Sequence, residues 1–376
     1  MNNRKYQVKN FDFKLLILLI AITVIGILAI GSAKESVQSR QIFGAILGMF
    51  FMLILTFFDY SFFIRFHWVI YAVNMGLLLL VQFFGDSSNN AQRWLEIGGI
   101  RFQPSETAKI LLILFYAQFI MKNKEKINSF STLLKAVVLL IPPWVLIYKQ
   151  PDLSTSIMIL IIFCVVMYVG GLSYKIIAGI FAVILPVAVI LLFLVLQPDQ
   201  TIIKDYQQER ILAWLQPDKY SLTTGYQQQN SITAIGSGQL WGKGLYNNEV
   251  GSVKNGNYIS EPQTDFIFAI IGEEMGFAGS LTVIVLLMAI AFECFLIARK
   301  AKDIAGTIIC CGVGSIVCFQ SFINISVATG ILPNTGLPLP FVSYGLTSLV
   351  SLYIGMGFVM NVAMQRVTPR NTINNF

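Results

Sequence analysis

The feature that most constrains this 376-residue chain is the recurrence of apolar runs about as long as a lipid bilayer is thick. A helix that crosses the hydrocarbon needs about 20 mostly apolar residues, because nothing there but its own hydrogen bonds can satisfy the backbone. Such runs fall near 13–32, 40–58, 66–84, 105–121, 131–148, 152–170, 174–197, 265–298, 304–330 and 341–364. The chain is 56% hydrophobic and 12% charged, whereas an ordinary soluble domain carries about 25% charged residues. That is too little polar surface for a water-soluble protein of this size, and too much apolar surface for disorder. The expected fold class is all-α: a polytopic integral membrane protein with about ten transmembrane helices, one domain over residues 1–376.

Basic residues in short loops set the orientation. With the N-terminus inside, fifteen fall on inner segments: Arg4, Lys5, Lys9, Lys14, Arg65, Lys122, Lys124, Lys126, Lys135, Lys175, Arg299, Lys300, Lys302, Arg366 and Arg370. Six fall on short outer segments: Lys34, Arg40, Arg93, Arg101, Lys109 and Lys149. This predicts both termini in the cytoplasm and an even number of spans. The net charge of +7 then reads as membrane anchoring rather than nucleic-acid binding. The first run follows four basic residues as a secretory signal does, but no small-residue cleavage site stands out, so an uncleaved first helix is expected. Residues 198–264 break the pattern of short loops. They are polar and rich in Gly and Gln, carry Trp214, Tyr226, Trp241, Tyr246 and Tyr258, and predict short helices near 206–216 and 225–236. A connection this long is usually functional or disordered; here an ordered extracellular loop at the membrane surface is expected.

Several chemistries are excluded. His67 is the only histidine, which removes His-based zinc sites, Ser-His-Asp triads and Cys-His dyads; beside Trp68 it reads as an interfacial residue. The five cysteines lie in apolar runs and form no CxxC motif. The segment GSGQLWGKG at 236–244 resembles a phosphate loop, but Ser237 and Gly244 stand where a Walker motif needs Gly and Ser/Thr. No residue set predicts a metal cage.

What remains is a set of ionisable residues at the outer ends of the runs. Glu106 and Lys109, spaced i, i+3, share a helix face; they read as a mutual ion pair, as the wall of a polar cavity, or as both. Asp152, following Pro151 at a helix start, is favoured there by the helix dipole. Asp265 opens the eighth run at the end of the long loop. It reads either as a helix cap or as a carboxylate at the lipid–water boundary, whose raised pKa would suit a general base. On a continuous helix Glu273 lies about 12 Å further along, beside Glu274, and both need partners or water. Gly272-xxx-Gly276 invites close helix packing. Between Gly330 and Pro340, three prolines and two glycines predict a stiff re-entrant segment, tolerated at membrane depth only against protein or a water-filled cavity.

Taken together, the pieces Asn90-Ala-Gln-Arg-Trp94, FQPSETAK (102–109), QPDLSTS (150–156), GYQ (225–227), IGSGQLWGKGL (235–245), EPQTDFIFAIIGEEMGFAGS (261–280) and ISVATGILPNTGLPLPFVSYG (325–345) resemble the SEDS family of bacterial cell-wall proteins, in family order along nearly the whole chain. The short tails and the motif Ser343-Tyr344-Gly345 place it nearer the RodA branch than the FtsW branch. Three positions depart from the family pattern: Gln263 stands for the usual His, Asn230 for a common Gln, and Leu346 for a second Gly.

The resemblance implies a peptidoglycan glycosyltransferase. It would polymerise lipid II, releasing undecaprenyl pyrophosphate, on the outer face of the bacterial plasma membrane, with Asp265 as the essential acid. It also implies partners: a class B penicillin-binding protein and other elongation or division proteins. Arg93, Lys109 and Lys243 are candidates for the pyrophosphate, and Glu106, Asp152, Glu273 and Ser343 for the substrate-binding wall. A divalent cation such as Mg or Mn at the pyrophosphate is compatible with this chemistry, and the residues imply no other cofactor. A lipid II flippase and a non-catalytic scaffold for a penicillin-binding protein stay open as alternatives.

Overall fold

The computed structural model describes residues 8–88, 91–97, 100–197, 205–220, 223–247, 251–252, 256 and 258–366. Arg4, Lys5, Arg370, motif residue Asn90, and 198–204 with other parts of the long segment lie outside the described residues. The helices are α1 (Phe13–Ala33), α2 (Glu35–Phe57), α3 (Tyr60–Arg65), α4 (His67–Phe84), α5 (Pro104–Lys122), α6 (Phe130–Lys149), α7 (Leu153–Val169), α8 (Tyr174–Val195), α9 (Asp205–Leu215), α10 (Pro217–Tyr220), α11 (Tyr226–Ser237), α12 (Ile267–Ala298), α13 (Ile304–Ala328) and α14 (Leu346–Met364). Each of the ten apolar runs becomes one helix, with ends shifted by a few residues. Among the described residues seven of them are long and apolar enough to cross a membrane, and α7 is a shorter apolar helix of 17 residues.

Starts and stops follow local chemistry. The side chains of Asp12, Ser129, Asp152 and Asp303 cap α1, α6, α7 and α13 by accepting from backbone N–H groups of the first turn. α5 opens on Pro104, which needs no N–H partner there. α14 packs along α2, α12 along α13, and α5 against α4, α7, α13 and α14. The centre of the bundle is therefore α5, α13 and α14, which bury residues around their whole circumference. α1, α2 and α4 keep exposed Phe, Leu, Ile and Val on their outer faces, the surface lipid solvates.

Three features differ from the sequence reading. Residues 86–102 form a small antiparallel sheet, β1 (Asp86–Ser88), β2 (Ala91–Ile97) and β3 (Ile100–Phe102), where only a loop is expected. Its strands are too short for an alternation to stand out beside the flanking apolar runs. The last helix begins at Leu346 rather than 341, because Phe341–Gly345 still belong to the re-entrant segment.

The third difference is that α12 is not continuous. At Gly276 (φ 64°, ψ −161°) it breaks, leaving 267–275 as a half-helix and 277–298 as a length that still crosses a bilayer. The glycine-rich segment of the long loop fills the break. Lys243 and Gly244 donate backbone N–H groups to the carbonyls of Glu273 and Glu274 (3.0 and 2.9 Å), while Phe277 and Ala278 donate to those of Gln239 and Leu240 (2.8 and 3.1 Å). These bonds replace the helical ones that the break removes. Gly242 has φ +79°, and a Cβ there would lie 2.2 Å from the Glu274 carbonyl oxygen. Gly242→Ala is therefore expected to destabilise the protein by about 1–3 kcal/mol, read as a lowered melting temperature; an unchanged one would show that the segment does not grip the break.

Candidate functional site

Asp265 sits half-buried at the mouth of the half-helix, between the long segment and the re-entrant one. Its backbone is fixed from several sides. Asn324 Nδ2 donates to the Asp265 carbonyl (2.9 Å) and to that of Leu337 (2.7 Å). Ser343 Oγ donates to the carbonyl of Thr264 (2.6 Å), and the backbone N–H of Tyr344 donates to that of Gln263 (2.8 Å). One carboxylate oxygen faces Gly336, where a Cβ would approach it to 3.4 Å. The carboxylate itself accepts no hydrogen bond from a described residue. Burial pushes its pKa above the ordinary 3.8; Arg210 and Arg93 pull it back, and Asp152 and Glu261 push it further up. A carboxylate so placed is a better proton acceptor than a solvated one.

The other sequence candidates fall into distinct places. Arg93, on β2, donates through Nε to the Gln150 carbonyl (3.1 Å) and through Nη2 to that of Pro151. It thus clamps the turn that ends in Asp152 while adding positive potential at Asp265. Asp152 caps α7 through Thr155 N (3.1 Å) and accepts from Gln103 Nε2 and Ser105 Oγ (both 3.3 Å). Asp152 is therefore a helix cap, and its charge is also felt at Asp265.

Glu106 and Lys109 form the expected ion pair at 2.9 Å, with side chains only 3% and 2% exposed. Lys109 also donates to Gln320 Oε1 (2.8 Å), and Gln320 Nε2 donates to the Pro338 carbonyl (2.8 Å). The pair lies beneath the re-entrant segment and supports it. Lys243 pairs with Glu273 at 2.9 Å, and Ser32 Oγ donates to Glu274 Oε1 (2.6 Å). Glu273 precedes the break, toward the far end of the half-helix as its spacing from Asp265 implies, and the docked loop brings Lys243 to it. Ser343 is 5% exposed and accepts from Leu339 N (2.7 Å) as well as donating to Thr264, so its hydroxyl is spent on holding the backbone.

The sequence reading overlooks Arg210 on α9, which donates to the Asn334 carbonyl (3.4 Å) and is the strongest cationic influence on Asp265. Its one available signal is that it is the only arginine in residues 198–264. Among the described residues no group of three or more His, Cys, Asp or Glu is arranged to hold a metal ion.

Removing one partner of the Glu106–Lys109 pair strands a buried charge. Lys109→Met is expected to cost about 3–5 kcal/mol, with Glu106→Gln/Lys109→Met together costing less than Lys109→Met alone. Unfolding of the purified variants measures this; additive losses would contradict the pair.

Comparison with known proteins matches the FtsW/RodA/SpoVE family model, described as cell cycle protein, over residues 5–368. The chain is similar to the peptidoglycan glycosyltransferase MrdB of Escherichia coli K12, with 34% identity over 95% of this chain and 94% of that one. It is also similar to the probable peptidoglycan glycosyltransferase FtsW of Bacillus subtilis 168, with 32% identity over 96% and 92%. Among solved structures, the rod shape determining protein RodA of Thermus thermophilus superposes with a TM-score of 0.70 at 25% identity, covering 95% of this chain and 98% of that one. A chain from a study of structural coordination of polymerization and crosslinking by a peptidoglycan synthase complex superposes at 0.79 with 28% identity, covering 94% and 97%.

Proposed function

We infer that this chain, which belongs to the FtsW/RodA/SpoVE family of cell cycle proteins, is a peptidoglycan glycosyltransferase whose general base is Asp265. The observation that carries the residue assignment is a half-buried carboxylate with raised pKa, unengaged by hydrogen bonds from the described residues, on which Arg93 and Arg210 act electrostatically.

The substrate is lipid II. The acceptor sugar's 4-hydroxyl oxygen attacks the anomeric carbon of the donor, and its proton passes to Asp265. The bond from that carbon to the diphosphate oxygen breaks, and undecaprenyl pyrophosphate leaves with the electron pair. Displacement of an α-linked diphosphate from the opposite side gives a β-1,4 linkage, so the reaction inverts. The leaving group carries its own activation, which is why no nucleotide site is needed. Arg93 and Arg210 favour the anionic leaving group electrostatically, while Lys109 and Lys243, held in ion pairs, act by keeping the site's walls in place. A divalent cation would be held mainly by diphosphate oxygens.

The long segment and Asp265 lie on the outer face of the bacterial plasma membrane and both termini in the cytoplasm, a reading supported by the excess of basic residues on the inner segments. A class B penicillin-binding protein supplies crosslinking, a reading supported by the likeness to a synthase complex, and the role is in cell-wall elongation and cell shape.

Purified protein given labelled lipid II, with its penicillin-binding partner, should form glycan strands. Asp265→Asn should slow this by about 10²–10⁴ while leaving the partner bound. Lipid II crossing vesicle bilayers without polymer would point to a flippase, and an unimpaired Asp265→Asn would remove the acid from the mechanism.

A further inference from the structure

The charges at the helix ends assigned to the cytoplasmic side are divided unevenly. One half carries Lys9, Lys14, Arg299, Lys300, Lys302 and Arg366 together with four carboxylates, Asp12, Asp59, Glu293 and Asp303. Lys302 pairs with Asp59 at 3.7 Å and Arg366 with Asp12 at 3.9 Å, and the charges of Lys14 and Lys300 are felt at Glu293. The other half carries Arg65, Lys122, Lys124, Lys126, Lys135 and Lys175, all exposed. Within 65–67, 122–135 and 170–175, the stretches that hold these six, Glu125 is the one carboxylate. None of the six makes an ion pair with a described residue.

The fold gathers them into one corner. Lys122 ends α5, and its charge is felt at His67, two positions after Arg65. Asn128 ties the turn after α5 to the turn before α8: its Nδ2 donates to the Gly171 carbonyl (3.2 Å), and its Oδ1 accepts from Ser173 N (2.7 Å). The Lys124–Lys126 turn is thereby set against the start of α8, where Lys175 stands. Cations grouped this way repel one another, and an anion among them relieves the repulsion. The kind of anion follows from their depth. Phe66, Trp68, Phe130, Tyr168 and Tyr174 are exposed around the same helix ends, an aromatic belt that marks the level of lipid headgroups. The turns 123–129 and 170–173 are too short to carry lysines far from that level. Lys135 emerges beside exposed Leu134 and Val138 on the lipid-facing side of α6, from which its long stem brings the ammonium to the headgroup layer. An acidic protein segment arriving from the cytoplasm would miss Lys135, whereas phosphates in the headgroup layer meet all six cations.

We propose that this corner is a binding site for anionic phospholipid of the inner leaflet. Lys122, Lys124, Lys126 and Lys175 hold the headgroup phosphate, Arg65 and Lys135 add charge at the flanks, and the acyl chains lie against α6 and α8. Bound lipid then bridges the turn after α5 to the start of α8 and stabilises the fold in proportion to its occupancy. The choice of leaflet rests on the orientation proposed above; the binding does not.

The test is native mass spectrometry of the full-length protein from detergent micelles doped with phosphatidylglycerol or, at the same concentration, phosphatidylethanolamine, with the melting temperature read in each. Phosphatidylglycerol should be retained and should raise the melting temperature, and phosphatidylethanolamine should do neither. Lys124→Gln/Lys126→Gln/Lys175→Gln should weaken phosphatidylglycerol binding about a hundredfold, at about fivefold for each cation removed. If that variant fails to fold, Lys124→Gln and Lys175→Gln singly carry the same test at about fivefold each. Lys14→Gln/Arg299→Gln/Lys300→Gln, which removes as much charge from the other half, should bind like the wild type. Equal losses in the two triple variants would reduce the effect to net charge and overturn the site, as would unchanged binding in the corner variants. Displacement of the lipid by a polyglutamate peptide at equal charge concentration would assign the corner to an acidic protein segment and also overturn it. Micelles expose both ends of the protein, so these results are independent of orientation. Labelling of Lys126→Cys by an impermeant maleimide from outside intact spheroplasts would sink the orientation alone.

Discussion

The whole site depends on satisfying irregular backbone inside a membrane protein. Between Gly330 and Pro338 the chain makes no helix, so its carbonyls must find donors elsewhere or lose several kcal/mol each. Side chains supply them. Trp214 donates to Gly330, Gln228 to Leu332, Arg210 to Asn334, Ser154 to Thr335, Asn324 to Leu337 and Gln320 to Pro338. The donors come from α7, α9, α11 and α13, so the segment is the point at which the long loop and the bundle are sewn together. Asn324 spends its second N–H on the carbonyl of Asp265, and the acid inherits the rigidity of that seam. Lys109 orients Gln320 in turn, which is how a buried ion pair contributes to a site it does not face.

A second constraint acts on the other side of Asp265. The half-helix that follows it ends at Gly276, and four backbone hydrogen bonds with the glycine-rich loop, two donated from each side, complete the broken helix. The segment that imitates a phosphate loop in sequence is therefore a backbone splint, and its glycines are there because Gly242 and Gly276 approach within a distance that no side chain permits. Lys243 follows the same logic: its backbone N–H bonds the Glu273 carbonyl while its ammonium neutralises the Glu273 carboxylate.

Much of this is legible in the sequence. The ten apolar runs give the helices because lipid imposes one length and one secondary structure. Glu106 and Lys109 give their pairing through i, i+3 spacing, and the prolines after Gly330 give the re-entrant segment. What stays hidden is long-range. Nothing local says that Gly276 breaks a 32-residue apolar helix, since glycine is common in membrane helices. Arg210 lies 55 positions from Asp265 in the chain and becomes its neighbour only through α9 docking on the re-entrant segment. The amides Gln320 and Asn324 are visible as polar residues in an apolar run, but their partners are carbonyls, which carry no signature in sequence.

The account is tested most directly by the pH dependence of lipid II polymerisation. The base acts only when ionised, so the rate must fall as pH falls through the pKa of Asp265. Burial raises that pKa above 3.8, so the acid limb is expected above the range of a solvated aspartate. Arg210→Gln, which removes the leading charge that lowers it, should move the limb to higher pH still. A limb at the solvated position that ignores Arg210→Gln would contradict the account.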